Sequence, residues 1–464
     1  MDKLYTRRQV LSRSGKAAAA AAGVATAASV LPTPRLAAGA VSALEKVTLA
    51  VVGCGGRGCT LMRDFVARKD VDVSLVCDVD LGRAKSLSRE LGNALGKAPD
   101  AVTDYRRVMD SKETQAVVVA TPDHWHALVT VHACRAGKDV YVEKPASYSI
   151  WDGRKMVEAA RKYSRVVQVG LQNRSAPYVL KALEYIRSGE LGKILFCRVC
   201  NLKSGGPFNI PADSKAPEGV DYDAWLGPAP ARGFNAGHFH GGWYNFYAYC
   251  GGDMGNDSSH QLDIARWLVG KDMPRTVYCA GGNLAYKDAR DVPDTQLATF
   301  EFDDLVMTLE NTQWAPYMDK IAGDVRQGDL FPYWPQCSTR IEFYGTKALM
   351  FLGRHGGGWQ VFVGSEPKSR PGKIVAQCYG RIPDEPHKEN FVRCIRTRER
   401  PNADIEEGHR SAILSHLGNI SYRVGARKLA FDATTETFVG EGAEAANRLV
   451  KPPYRDPYVI PDPV

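Results

Sequence analysis

Val47-Thr48-Leu49-Ala50-Val51-Val52-Gly53-Cys54-Gly55-Gly56-Arg57-Gly58 decides how this chain folds. The mostly apolar run reads as a buried strand, the glycines as a tight turn, and the stretch through Arg68 as a helix. In such a unit Gly53 permits the turn, Gly55 lets backbone approach a pyrophosphate and Gly58 allows close helix–strand packing. Gly56 and Arg57 complete the loop at the helix N-terminus, where the phosphates lie. A second apolar run, Val71 to Cys77, ends in Asp78, and 20 residues separate that acid from Gly58. This is the distance expected of a carboxylate that binds both ribose hydroxyls and repels a 2′-phosphate, so the expected cofactor is NAD(H) rather than NADP(H). The alternative is a strand-end aspartate that caps the following helix.

The alternation of strand and helix continues through Ala116–Ala120, a helix from His124 to Ala136, Asp139–Val142, a helix from Trp151 to Tyr163, and Val166–Gly170. Short apolar strands spaced by helices indicate an α/β Rossmann domain with a doubly wound parallel sheet. Ligands of such sheets lie beyond the carboxyl ends of the strands. Thr121-Pro122-Asp123 and Glu143-Lys144-Pro145 therefore face one cofactor cleft, with Thr121, Pro122 and Glu143 as cofactor contacts. A desolvated Lys144 ammonium beside a nicotinamide can hydrogen-bond a substrate hydroxyl and favour its alkoxide-like state.

After Gly170 the pattern changes. A helix over Pro177–Ser188 precedes alternating runs at Lys193–Leu202, Thr276–Ala280, Leu297–Phe302, Leu305–Glu310 and Arg340–Tyr344, which indicate an α+β domain with an open, mainly antiparallel sheet. Between them a helix from about Gln261 places Asn256, His260 and Asp263 on one side if it starts a few residues earlier. The aromatic run from His238 to Tyr249 suits stacking on sugar C–H faces, and Trp243, Tyr244 and His240 are the expected substrate contacts; core packing is the alternative. His387 and His409 fall in helix-like stretches and read as structural.

Residues 1–40 contain Arg7-Arg8, an alanine-rich stretch from Ala17 to Val30, two prolines and a small-residue end at Ala40. This is the pattern of a twin-arginine signal peptide, so the expected location is the periplasm, reached in the folded state. The expected divisions are 1–40 signal, 41–170 nucleotide-binding domain, 171–450 substrate domain and 451–464 tail. The formal net charge of the 464-residue chain is +8. Six cations against Asp2 in the first forty residues account for five of those charges, which removes the main support for nucleic-acid binding. The alanine stretch is too short and too weakly apolar for stable membrane insertion. The 11 cysteines are scattered and odd in number, and Cys197-Arg-Val-Cys200 stands alone, so no disulfide framework and no metal site is expected.

Four motifs together carry a resemblance to the glucose-fructose oxidoreductase, inositol dehydrogenase and MocA (Gfo/Idh/MocA) family over roughly residues 46–450. They are Val51–Gly58, Ala120-Thr-Pro-Asp-His-Trp-His126, Val142-Glu-Lys-Pro145 and Gly251–Trp267. Residues 221–230 and 401–410 resemble the subgroup that carries twin-arginine signals. The resemblance implies a Rossmann domain joined to an open sheet that binds the substrate and mediates homo-oligomerisation. It also implies that the family's lysine is Lys144 and its proton-handling histidine His260. The acid usual four residues before that histidine is here Asn256, with Asp257 beside it, so either Asp257 takes over or Lys144 and His260 suffice. The expected function is NAD-dependent oxidation of a sugar, cyclitol or glycoside hydroxyl with a tightly held, recycled cofactor. The alternatives are redox-neutral glycoside cleavage through oxidation, elimination and reduction, and a non-catalytic sugar-binding protein.

Overall fold

The computed structural model describes residues 46–365 and 372–464. The proposed signal peptide, residues 1–40, lies outside them. Six strands form the first sheet: β1 (Val47–Val52), β2 (Val71–Cys77), β3 (Asp100–Val102), β4 (Ala116–Val119), β5 (Asp139–Val142) and β6 (Val167–Val169). All neighbours are parallel, in the order β3-β2-β1-β4-β5-β6. Chain direction across the sheet reverses between β1 and β4, which opens a crevice at their carboxyl ends. Every residue of β4 and β5 is buried, as contiguous apolar runs covered on both faces by helices require. The turn after β1 needs its glycines: Gly53 has φ +98°, and a Cβ on Gly58 would stand 1.9 Å from the Gly53 carbonyl oxygen.

The second sheet has ten strands: β7 (Ile194–Leu202), β8 (Thr276–Gly282), β9 (Thr295–Glu301), β10 (Val306–Thr312), β11 (Arg340–Gly345), β12 (Leu349–Gly353), β13 (Trp359–Val363), β14 (Lys373–Cys378), β15 (Leu429–Asp432) and β16 (Thr437–Val439). Their order is β14-β13-β12-β11-β7-β10-β9-β8-β15-β16, antiparallel except for the β7–β10 pair. Side chains alternate as a half-covered sheet demands. Ala298, Phe300, Met307 and Leu309 face the helices Pro177–Arg187, Ser258–Leu268 and Ile405–Arg423, whereas Leu297 and Val306 point outward and are exposed.

The residue-170 boundary drawn from sequence does not separate two cores. Phe391 and Val392 of the helix Asp384–Thr397 pack into one side of the parallel sheet, and Ala403, Ile405 and Ala412 into the other. Residues 451–464 are likewise no free tail. Ile460 and Val464 are buried in that second core, and Asp462 pairs with Lys155 at 2.8 Å. The described residues form one compact unit. No described helix is long and apolar enough to cross a membrane.

Candidate active site

A cavity of about 660 Å³ runs along the carboxyl ends of β2, β1, β4 and β5. Gly53, Gly55, Gly56, Arg57, Asp78, Thr121, Pro122, Glu143, Lys144, Trp243, Tyr244, Asn256, Asp257 and His260 all line it, so sequence-distant residues converge on one space. Gly58 is the exception. It lies under the turn and serves the close packing of helix on strand.

One end belongs to Asp78. Its Oδ2 accepts the Cys54 N–H at 2.7 Å and its Oδ1 the Asp80 N–H at 2.9 Å, which fixes the carboxylate while leaving a lone pair on each oxygen. The helix Leu81–Leu95 is capped by Asp80, whose side chain accepts from Gly82 and Arg83 N–H groups, so Asp78 is not the cap. His240 also sits here. Its Nε2 is 2.9 Å from Asp80 Oδ2, and the ring lines the cavity. Trp225 and Tyr458 complete the wall at this end. Arg455 ties the C-terminal segment to Gly227 O at 3.0 Å.

Three strand spacings, about 14 Å, separate the end of β2 from the end of β5. That is the span between the two riboses of an extended dinucleotide, and the cavity fits one. A Cβ on Gly56 would meet nothing within 4 Å, and one on Gly55 only Arg83 Nη1 at 3.6 Å, which leaves room for phosphates against the first turn of the helix Gly56–Val66. Thr121 Oγ1 is buried without a partner on the same wall. Arg57 bonds Glu143 at 2.8 Å, and together with Lys144 it holds that buried carboxyl below its usual range against the opposing effect of burial.

At the far end the Lys144 Nζ donates to the backbone O of Asn256 at 3.0 Å and to its side-chain Oδ1. Burial lowers its pKa, and Asp257, Glu143 and Asp123 oppose that fall. His260, on the first turns of the helix Ser258–Leu268, is buried, and its Nδ1 has no hydrogen-bond partner among the described residues. Burial, with Arg354 and Lys144 adding to it, holds its pKa well below the ordinary histidine value, so the imidazole is neutral. Burial pushes Asp257 up, but Arg354, Lys203, Lys144 and Lys320 outweigh it and keep the carboxylate ionised well below the usual range. Lys203 and Lys320 stand 2.9 and 3.5 Å from it.

Asp263 does not join this group. Three residues beyond His260, about 4.5 Å along the helix, it has passed the cavity wall. There it takes Arg174 Nε at 2.9 Å and the Ser411 hydroxyl at 2.6 Å. Most of the aromatic run packs as a core of its own around Trp225, Phe239, Phe246 and Tyr249. Trp243 stacks on Tyr244 at 3.8 Å, and this pair faces the cavity.

Asp123, Arg354 and His355 are among the lining residues with no role assigned to them by the sequence motifs. Asp123 is buried with Oδ2 unpartnered, and burial raises its pKa to about 7 against the pull of Lys144. Arg354 and His355 come from the turn between β12 and β13. Their signal in the sequence is a basic dipeptide inside Gly353-Arg354-His355-Gly356-Gly357-Gly358.

A Rossmann sheet, a fixed ribose acid and a lysine–histidine pair one dinucleotide length away define a nicotinamide-dependent oxidoreductase. Comparison with known proteins agrees. The model of an oxidoreductase family with an NAD-binding Rossmann fold, Gfo/Idh/MocA, matches residues 47–171. The model of that family's C-terminal alpha/beta domain matches 205–325 and 360–460. The chain belongs to the Gfo/Idh/MocA family of NAD-binding oxidoreductases. It is 26% identical to scyllo-inositol 2-dehydrogenase (NAD(+)) of Bacillus subtilis over 67% of this chain and 74% of that one. It is 31% identical to a glycosyl hydrolase family 109 protein of Stenotrophomonas maltophilia over 42% of this chain and 45% of the other. The chain thus spans about half to three quarters of the length of the curated relatives it matches. Levoglucosan dehydrogenase, in complex with NADH and levoglucosan, shares the fold with a TM-score of 0.61 at 18% identity, covering 83% of this chain and 99% of that one.

Proposed function

We propose that this protein oxidises a hydroxyl of a sugar, cyclitol or glycoside with NAD that stays bound between turnovers. The observation that carries the reading is the meeting of Lys144, Asn256 and His260 at the end of the cavity opposite Asp78. When bound, NAD supplies the hydride acceptor. Lys144 donates a hydrogen bond to the substrate oxygen and stabilises its developing charge; neutral His260 takes the hydroxyl proton. Asn256 orients Lys144 and the substrate but moves no proton. Asp257, saturated by cations, supports Lys144 as a fixed charge rather than acting as the base, so Lys144 and His260 suffice. Trp243 and Tyr244 offer faces to the apolar side of a sugar ring.

Export through a twin-arginine signal would carry the nucleotide with the folded protein to the periplasm. Its retention there is supported by the aromatic and imidazole side chains of Trp225, His240 and Tyr458 that line the cavity. Redox-neutral glycoside cleavage is the second reading, favoured by the likeness to a glycosyl hydrolase family 109 protein. In that sequence a hydroxyl is oxidised to a ketone, the neighbouring C–H becomes acidic, the aglycone leaves by elimination, water adds, and the ketone is reduced again; a bound nucleotide would take up and return the same hydride.

The test is the nucleotide that co-purifies with protein lacking residues 1–40, identified by mass and followed by absorbance while sugars and glycosides are added. NAD(H) is expected, with NADP(H) bound at least ~100-fold more weakly because Asp78 would face the 2′-phosphate. Equal affinity for NADP(H), or no absorbance change with any carbohydrate, overturns the reading.

A further inference from the structure

The described arginines with fully buried side chains find acids. Arg174 meets Asp263, Arg266 meets Glu407, Arg290 meets Asp288 at 2.7 Å, and Arg340 meets Glu342 at 2.6 Å. Arg354 is held more loosely. Its side chain is only 11% exposed, its ion pair with Asp257 is 3.6 Å long, and among the described residues no acceptor takes a hydrogen bond from its guanidinium. The backbone is fixed from behind: Asn173 Nδ2 and the Tyr178 hydroxyl donate to the Arg354 carbonyl at 2.8 and 3.2 Å. From that anchored turn the side chain lines the cavity, its N–H donors without a hydrogen-bond acceptor among the described residues.

A second guanidinium faces the same space. Arg326 lines the cavity, and its Nε donates to Ile321 O at 2.8 Å, while its terminal nitrogens have no acceptor among the described residues. Arg326 is close enough to disfavour the charge on Arg354, and Asp384, on the same wall, forms no ion pair with either among the described residues. Asp257 cannot balance them, because Lys203, Lys320 and Lys144 already surround it. Neighbouring guanidiniums with N–H donors left over are an arrangement that binds an oxyanion through paired, charge-assisted hydrogen bonds.

We propose that the substrate is an anionic sugar whose carboxylate or phosphate is held by Arg354 together with Arg326, beside the hydroxyl that Lys144 and His260 handle. This rests on the reading of the cavity as a carbohydrate site. It sorts the class further: a hexuronate or sugar phosphate fits the cavity's charge, and a neutral hexose leaves both forks unsatisfied.

Calorimetry on the NADH-loaded protein tests it without turnover, with glucuronate and galacturonate, glucose 6-phosphate, and glucose and galactose as ligands. At least one acid should bind about 10- to 100-fold tighter than its neutral counterpart, and Arg354→Gln should erase that advantage while NADH affinity is unchanged. Arg354→Lys, which keeps the charge but not the fork, should restore part of it and guards against a folding defect in the first variant. Preference for the uronates identifies a carboxylate, and preference for glucose 6-phosphate a phosphate. Equal binding of neutral and acidic sugars, or an acid advantage that survives Arg354→Gln, overturns the proposal. Binding of no sugar at all removes the carbohydrate reading and this proposal with it.

Discussion

Lys144→Ala is expected to slow substrate oxidation by ~10²–10⁴-fold while leaving the NAD dissociation constant within a few-fold of the parent. Lys144 stands at the carboxyl end of β5, held by its backbone N–H to Glu143 Oε2 at 3.3 Å and by its ammonium on Asn256. The dinucleotide's fixed anchor is elsewhere, at Asp78 and the Gly53–Gly58 turn, about three strand spacings away. Loss of the ammonium therefore removes a donor from the substrate oxygen without touching the adenosine end. Burial already makes the charged form of Lys144 costly, and Asp257, Glu143 and Asp123 sustain it; such a group is poised to share a proton with an oxygen becoming negative. Nucleotide affinity is measured by fluorescence quenching, and the chemical step by the single-turnover rise in absorbance on mixing with substrate. An unchanged rate, or a fall that merely tracks lost NAD, would remove Lys144 from the mechanism.

That Lys144 could be singled out at all follows from how parallel sheets are built. Strands covered on both faces must be short, apolar and contiguous, so the limits of β1, β2 and β5 agree with those read from Val47–Val52, Val71–Cys77 and Asp139–Val142. Ligands bind where such strands end, so the residue that follows each apolar run is a candidate on the strength of its position alone. The second sheet is less legible. β14 is exposed along most of its length, and β15 and β16 are only four and three residues long, too short and too polar for a periodic signal. Arg354 is hidden for a related reason. Its place in the cavity is set by the sheet order that puts β12 beside β11 and β11 beside β7, a long-range pairing that no local window contains. His240 lines the cavity with Trp243 and Tyr244, but its bond to Asp80 could not be read from the sequence, because it joins residues 160 positions apart; its φ is +59°.

His260→Ala should reduce the rate by a similar ~10²–10⁴-fold, and its pH signature separates a proton acceptor from a packing residue. Burial and the cations Arg354 and Lys144 depress its pKa well below the ordinary histidine value. The base form is therefore available through neutral pH, and the acid limb of the parent's rate profile should fall well below pH ~6.5 rather than near it. Asp257 acts in the opposite direction by favouring the charged imidazole. Replacing it by Asn should move that limb to still lower pH, cut the rate far less than His260→Ala, and leave Lys203, Lys320 and Arg354 without the acid they surround, at a cost in thermal stability. Asn256→Ala, which takes the Oδ1 acceptor from Lys144 but keeps the backbone one and removes no titrating group, should raise KM and lower the rate modestly with the limb unmoved. If Asp257→Asn instead abolishes the acid limb and matches His260→Ala in rate, Asp257 is the base after all. In that case its cationic cage sets a low pKa for a carboxylate that accepts the proton directly, and His260 serves to position the substrate.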